Sequence, residues 1–347
     1  MVVLALSACA TSPRVEEDVQ WYRYALALRS GETRFVEPLE SRRADGRRFR
    51  VTRDSRGRIT RVATFVGSSR VAEIAYRYRG VSRWSRGYEY WAADGELTTV
   101  VEIHRDEHER RIVEGFRLVN GGPTDASFRV YWDVDVEHTH ADAAGRAEGR
   151  SRLSYSADGV LVRARWYPGS ASTRANPVYE AEFDERTGLA RERRKYREGM
   201  LVSSSRTHYD PGGLPIQSAH YDPAGRRYGV TDYAGGLKTR SRLETRPGTV
   251  LEITFLYDAK RWTRETRYAH DGRDVCTLVY ERLANGWVVR SIARGPGGEV
   301  WAEYPNLYVE HIEPSGEAVD RPGVAKIFRK GPWWPSPAGL TPHFDGL

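Results

Sequence analysis

The sequence predicts an all-β fold: a repetitive antiparallel β-meander, extended or curved into a sheet, with one short N-terminal helix. Three observations point there. Apolar and polar residues alternate with a period of two along most of the chain. The alternation is clearest at Phe128, Val130, Trp132, Val134 and Val136, which share one strand face. A turn unit of an aromatic residue, a polar corner and a glycine recurs, most regularly at Gly213, Gly225 and Gly236, 12 and then 11 residues apart. About eight residues between such turns is the length of one strand. No helical pattern of about 10–15 residues interrupts the body, which sets aside an α/β arrangement.

The chain has 347 residues, 39% hydrophobic and 29% charged, enough to bury a core and still leave much polar surface. Tyr 20 and Trp 10 against Met 2 suit pleated surfaces. The net charge is +7, carried by many Arg. They alternate with apolar residues, as in Arg163-Ala164-Arg165-Trp166 and Arg261-Trp262-Thr263-Arg264. Arg is therefore expected on the solvent face of strands, paired with neighbouring Glu. No nucleic-acid module is present, so nucleic acid is set aside as a partner.

The N-terminus reads MVVLALSA, followed by Cys9. Leu6-Ser7-Ala8-Cys9 resembles a bacterial lipobox, in which a signal peptidase cuts before the cysteine and the thiol is diacylated. The resemblance implies that residues 1–8 are a signal remnant and that Cys9 is the lipidation site. The membrane is then a partner through that lipid, and Ala10 permits sorting to an outer membrane. No stretch is long enough to cross a bilayer as a helix. Residues 9–32 are expected to hold an anchor linker and the short helix. Ser12-Pro13 opens it, Glu16, Glu17 and Asp18 fill its first turn, and Arg29-Ser30-Gly31 ends it. Val15, Val19, Tyr22 and Leu26 recur at helical spacing.

Residues 33–330 form the β-repeat domain. Phe49, Val51, Ile59, Val62, Thr64 and Val66 flank a turn at Gly57, and the alternation continues through 71–78, 88–92, 97–103 and 112–119. Short turns between such strands give an antiparallel sheet. The loop at 168–177 is expected to divide the domain into two sub-sheets. Residues 331–347, with Trp333-Trp334 between prolines, form an extended tail.

The best-formed turns are Tyr209-Asp210-Pro211-Gly212-Gly213, Tyr221-Asp222-Pro223-Ala224-Gly225-Arg226 and Tyr233-Ala234-Gly235-Gly236. Asp210 and Asp222 can accept bonds from the backbone ahead of them, Pro presets φ, and Gly213, Gly225 and Gly236 supply the positive φ that closes each reversal. Tyr209, Tyr221 and Tyr233 are expected to begin successive strands. These residues resemble the YD repeat of the Rhs and teneurin type, in which Tyr-Asp-x-x-Gly-Arg recurs. Weaker copies lie at 53–58, 91–95, 155–159, 183–188, 268–272, 283–286 and 296–298. Long arrays of that family form spiralling sheets around a cargo. This chain is too short for such a shell, so the cargo function does not carry over.

Two constellations could carry chemistry. His104-Arg105-Asp106-Glu107-His108 has the H-x-x-E-H spacing of a metalloprotease helix, but its flanks read as strands and the segment as a hairpin tip. His138, His140 and Asp142 would share one side of a strand, a workable zinc geometry. Cys276 sits in a strand as a small core residue. No nucleophile elbow, P-loop or dinucleotide fingerprint is present, and no cofactor is expected. The first reading of function is a lipid-anchored, non-enzymatic envelope protein whose sheet binds or scaffolds envelope proteins, glycan or lipid. The alternatives are a metal-dependent hydrolase at His138 and His140, and a periplasmic chaperone or lipid carrier.

The turn chemistry is directly testable. Gly225→Val should lower stability by more than about 1 kcal/mol, because a β-branched residue resists positive φ. A variant that melts with the wild type would show that Gly225 closes no such turn.

Overall fold

The computed structural model describes residues 18–28, 33–40, 45–105, 111–119, 126–131, 135–141, 147–168, 176–283, 288–305, 308–314 and 322–328. All of its regular elements are strands. The first twelve are β1 (Asp18–Ala27), β2 (Thr33–Leu39), β3 (Arg47–Arg53), β4 (Ile59–Val66), β5 (Ser69–Tyr78), β6 (Ser85–Ala92), β7 (Leu97–Arg105), β8 (Arg111–Leu118), β9 (Ala126–Tyr131), β10 (Asp135–Ala141), β11 (Ala147–Tyr155) and β12 (Leu161–Pro168). The next eleven are β13 (Tyr179–Phe183), β14 (Ala190–Arg197), β15 (Met200–Tyr209), β16 (Pro215–Tyr221), β17 (Arg227–Ala234), β18 (Leu237–Arg246), β19 (Thr249–Tyr257), β20 (Thr263–His270), β21 (Arg273–Arg282), β22 (Val288–Arg294) and β23 (Val300–Pro305). These 23 form one sheet, while β24 (Tyr308–Pro314) and β25 (Pro322–Phe328) pair separately. From β3 to β23 each strand pairs antiparallel with its neighbour in sequence, which is a meander. β12 and β13 pair across the long loop, with Arg163 opposite Glu182 and Trp166 opposite Tyr179. The ladder therefore does not part at 168–177.

The N-terminal segment corrects the expected helix. Asp18–Ala27 is a strand held on both flanks: Tyr22 lies opposite Phe49 of β3, and Tyr24 opposite Val36 of β2. Trp21, Tyr22 and Tyr24 favour a pleated surface. Two ladders of backbone bonds outweigh the helical spacing of Val19, Tyr22 and Leu26. Of these, Val19 ends up exposed and Leu26 buried.

Seven of the described reversals are built to one plan. At 54–58, 92–96, 156–160, 210–214, 222–226, 258–262 and 295–299 the first residue donates its N–H to the fifth carbonyl, and the fourth donates to the first. This is a type I turn closed by a left-handed residue and a bulge, the usual three-residue hairpin loop. Where the first residue is Asp, its Oδ1 also accepts the N–H of the fifth: Asp54 from Arg58 at 3.0 Å, Asp210 from Leu214 at 2.8 Å, Asp222 from Arg226 at 2.8 Å and Asp258 from Trp262 at 2.9 Å. Gly213 and Gly225 take φ of 75° and 81°. Gly236, at 81°, differs: with Gly235 at 55° it makes a two-residue loop between Ala234 and Leu237. The expected role of the tyrosines is also corrected. Tyr209 and Tyr221 end their strands rather than begin them, and Tyr233 lies one residue from the end of β17. The Asp that follows must leave the ladder to cap the turn, so the Tyr is the last paired position.

The meander returns upon itself. One rim of the early strands carries the turns at 45–46, 67–68 and 93–96. It meets the rim of the later strands that carries the turns near 188, 212, 235 and 260. Leu28 bridges Val160. Arg47 N–H donates to the Gly212 carbonyl at 3.1 Å, and Arg23 Nη1 to the Pro211 carbonyl at 3.0 Å. Lys260 Nζ lies 2.8 Å from Asp94 Oδ2 and also bonds Glu96. The partner turns are offset regularly. The β15–β16 turn faces residues 46–47 at the start of β3, and the β19–β20 turn faces the β6–β7 turn, each thirteen strands on in chain order. The sheet thus winds as a ribbon whose second coil rests on the first. A bulge at almost every hairpin adds the local twist that such curvature needs.

One face of the ribbon is apolar. Phe49, Val51 and Val62 are fully buried with Ile74 beside them, and Leu251, Ile253, Tyr268 and Leu278 form a second cluster. Each such side chain contributes about 1.5–3 kcal/mol on burial. The other face carries charge.

Candidate functional site

The charged face is organised in rows that run across strands. On β12 to β15, Arg163 pairs with Glu182, Arg165 with Glu180, and Arg206 approaches Glu192 at 3.6 Å. Arg194 sits among them, 2.8 Å from Glu180 and 2.7 Å from Glu182, and it also bonds Glu192. The row ends where the Arg206 guanidinium lies 5.2 Å from the centre of the Tyr221 ring. These contacts follow from the register, which places Arg165, Glu180, Arg194, Ser204 and Tyr221 directly opposite one another. The apolar residues between them, Ala164 and Ala181, drop to the buried face. Burial alone would raise the Glu180 carboxyl, but hydrogen bonds from Arg165 and Arg194 outweigh it and hold the group below the usual carboxylate value. Farther along, Arg290 joins Glu281 at 2.8 Å and Glu303 at 3.0 Å. A shallow depression beside the row is lined by Ser154, Val162, Arg163, Glu182, Phe183 and Arg191.

On the opposite face the apolar surface gives way to hydroxyls at β15–β18. Thr207, Ser218, Thr231 and Ser241 lie opposite one another on four consecutive strands. Thr207 and Ser218 are 2.8 Å apart, Thr231 and Ser241 2.7 Å, and Ser218 reaches the Tyr233 hydroxyl at 3.2 Å. His220 Nε2 lies 2.8 Å from Thr231 Oγ1. Burial, with Lys238 nearby, lowers the imidazole to about 4, so it is neutral at physiological pH. The Tyr209 hydroxyl donates to the Ala190 carbonyl at 2.8 Å. The hydroxyls of this row and the His220 ring thus satisfy one another, as burial requires.

The residues singled out from sequence fall in different places. His138 and His140 lie on β10, opposite Ser151 and Gly149 of β11, and Asp142 lies outside the described residues. His104 lies on β7, opposite Val113 of β8, so its flanks are paired strands; 106–108 lie outside the described residues. Cys9, the turn at 284–286 and the tail at 331–347 also lie outside them. Cys276 is buried in the apolar cluster, and burial pushes its thiol up to about 12. Sequence reasoning missed the turn at 258–262. Its left-handed position is held by Arg261 at φ 65° instead of glycine. The pair Tyr257-Asp258 was the available signal.

No protein-family model matches this chain, and no curated relative is found. Among solved structures, a chain of the TcdB2-TccC3-Cdc42 crystal structure is 12% identical over 79% of this chain, with a TM-score of 0.27. A chain of the TcdB2-TccC3 crystal structure is 10% identical over 75%, with a TM-score of 0.21. This chain spans only 16% and 19% of those two chains. A porin-like protein from Bacteroides uniformis is 8% identical over 84% of this chain and 93% of its own, with a TM-score of 0.26.

The two faces titrate in different windows. Glu180 is held below its ordinary value of 4.5, so its stabilisation is present above that pH and is lost as pH falls through the lower folded value. His220 is held at about 4 against 6.5, so the folded chain resists its protonation and stability is lost progressively as pH falls from 6.5 to 4. In denaturant melts taken against pH, His220→Gln should flatten the upper window and Glu180→Gln the acid limb below it. A His220→Gln profile parallel to wild type across the upper window would contradict this assignment.

Proposed function

We propose that this chain is a lipid-anchored protein of a bacterial cell envelope whose wound β-sheet serves as a non-enzymatic binding or scaffolding surface. The charged rows of β12–β16 carry this reading. Their Arg, Glu and Tyr side chains are fixed by cross-strand contacts before any partner arrives, so little ordering is left to oppose association. The pairs with exposed guanidiniums, Arg163–Glu182 and Arg206–Glu192, add only about 0–1 kcal/mol each to folding, so they suit recognition better than stability. Alternating guanidinium, carboxylate and aromatic groups match the hydroxyls and ring faces of a glycan or the polar surface of another envelope protein. The Cys276 thiol and the His220 imidazole are both held far from the values at which acid–base or nucleophilic work is efficient near neutral pH. The lipobox at Leu6-Ser7-Ala8-Cys9 supports anchoring at a membrane, with the outer membrane as the destination.

Anchoring is tested by metabolic labelling. Palmitate should enter the wild-type protein and not Cys9→Ala, and only the wild type should stay with membranes through a wash at about 1 M salt, which screens surface charge. An unlabelled Cys9→Ala protein that survives the wash would reject the lipobox reading.

A further inference from the structure

We infer that the rim formed by the start of β1 and the β3–β4 and β5–β6 turns is a membrane-docking surface for anionic lipid headgroups. The inference deepens the anchoring reading by naming which part of the ribbon faces the bilayer. It rests on three observations. The first is the position of β1. Asp18 lies opposite Arg53 and Val19 opposite Thr52, so β1 starts at the rim that carries the 54–58 turn. Cys9 is nine residues upstream, a reach of at most about 30 Å, so a lipid on it would hold this rim near the bilayer.

The second observation is charge. Residues 53–58 and 79–86 contain Arg53, Arg56, Arg58, Arg79, Arg83 and Arg86, against Asp54 alone. Asp54 is occupied by Arg58 at 2.7 Å. Among the described residues Asp18 and Glu40, which follows the Trp21–Leu39 pair, are further acids beside this edge of β1. The two turns are locked together: Arg58 Nη1 donates to the Gly80 and Ser82 carbonyls at 2.8 and 2.9 Å, and Arg56 Nη1 to Gly80 at 3.2 Å. This sets a basic platform whose Arg56, Arg79 and Arg83 are exposed. The third observation is apolar exposure at the same place. Val81, at the tip of the β5–β6 turn, is 79% exposed, and Val19 is 46% exposed. The Arg83 guanidinium lies 4.5 Å from the Trp84 ring. Basic residues around an exposed apolar tip and an indole suit the headgroup layer of an anionic membrane. Gly57 and Gly80 on this rim face open space. A Cβ added at Gly57 or Gly80 would meet nothing within 4 Å, whereas the opposite rim of the same coil is buried in the seam.

The test uses full-length Cys9→Ser protein, so that no acyl chain contributes. Co-sedimentation with phosphatidylcholine vesicles should be weak, and with vesicles that also contain phosphatidylglycerol strong and salt-sensitive. Combined Arg56→Glu, Arg79→Glu and Arg83→Glu should lower binding to the anionic vesicles by about a hundredfold. Val81→Asp should lower it further. The same charge change at the far rim, Arg227→Glu with Arg246→Glu and Arg273→Glu, should leave more than half of the binding, with both triple variants melting like the parent. Equal loss in the two triple variants, equal binding to neutral vesicles, or no binding by Cys9→Ser would overturn the inference. Palmitate labelling of the wild type separates the two readings. Labelling without vesicle binding by Cys9→Ser removes the docking rim alone, and vesicle binding without labelling removes the anchor alone.

Discussion

Gly46 and Gly212 approach so closely that a Cβ on either would come within 2.6 Å of the other's Cα. No side chain could occupy that space. The contact, with the Arg47 N–H bond to the Gly212 carbonyl beside it, fixes the spacing between the two coils. It also fixes how many strands make one turn of the ribbon, because reversals thirteen strands apart must arrive in register. Lys260 repeats the junction farther along. Burial there would lower its ammonium, but its bonds to Asp94 and Glu96 outweigh burial and raise it. A cation between two carboxylates locks a turn of the second coil to a turn of the first. A meander open on both rims has no reason to hold one curvature. The seam supplies that reason, and the arrangement of both faces follows from it.

The two faces then divide the work. The buried apolar clusters supply stability, since Phe49, Val51, Val62 and Leu278 are wholly removed from water. The charged rows supply little of it. They supply order instead, because Arg194 can contact three carboxylates only if β13 and β14 keep their register. A one-residue slip would send those charges to the apolar side. The surface proposed for recognition therefore shares the register of the core beneath it.

Much of this was legible in the chain. The Asp-x-x-Gly spacing marks three of the three-residue loops, because the Asp carboxylate caps the reversal and the left-handed glycine closes it without strain. The alternation of Arg163 and Arg165 with Ala164 foretold a charged and a buried face. What could not be read has physical causes. β1 carries helical spacing by coincidence, and only its partners Phe49 and Val36, distant in sequence, make it a strand. The turn at 258–262 lacks its glycine, and Arg261 accepts positive φ while donating to the Gly235 carbonyl across the neighbouring turn. The seam joins residues more than 160 apart, such as Glu96 and Lys260, and no local pattern encodes such a contact. The hydroxyl row around His220 was hidden for a similar reason. Thr207, Ser218, Thr231 and Ser241 are unremarkable until the register lines them up.

The winding is most directly tested at Lys260. A zero-length carbodiimide joins an amine to a carboxylate only where the two already touch. On the native protein, peptide mass spectrometry should recover Lys260 linked to Asp94 or Glu96, with denaturant abolishing the link. Recovery of Lys260 joined only to carboxylates of its own coil, such as Asp258, with residues 94–96 unlinked, would show that the second coil does not rest on the first.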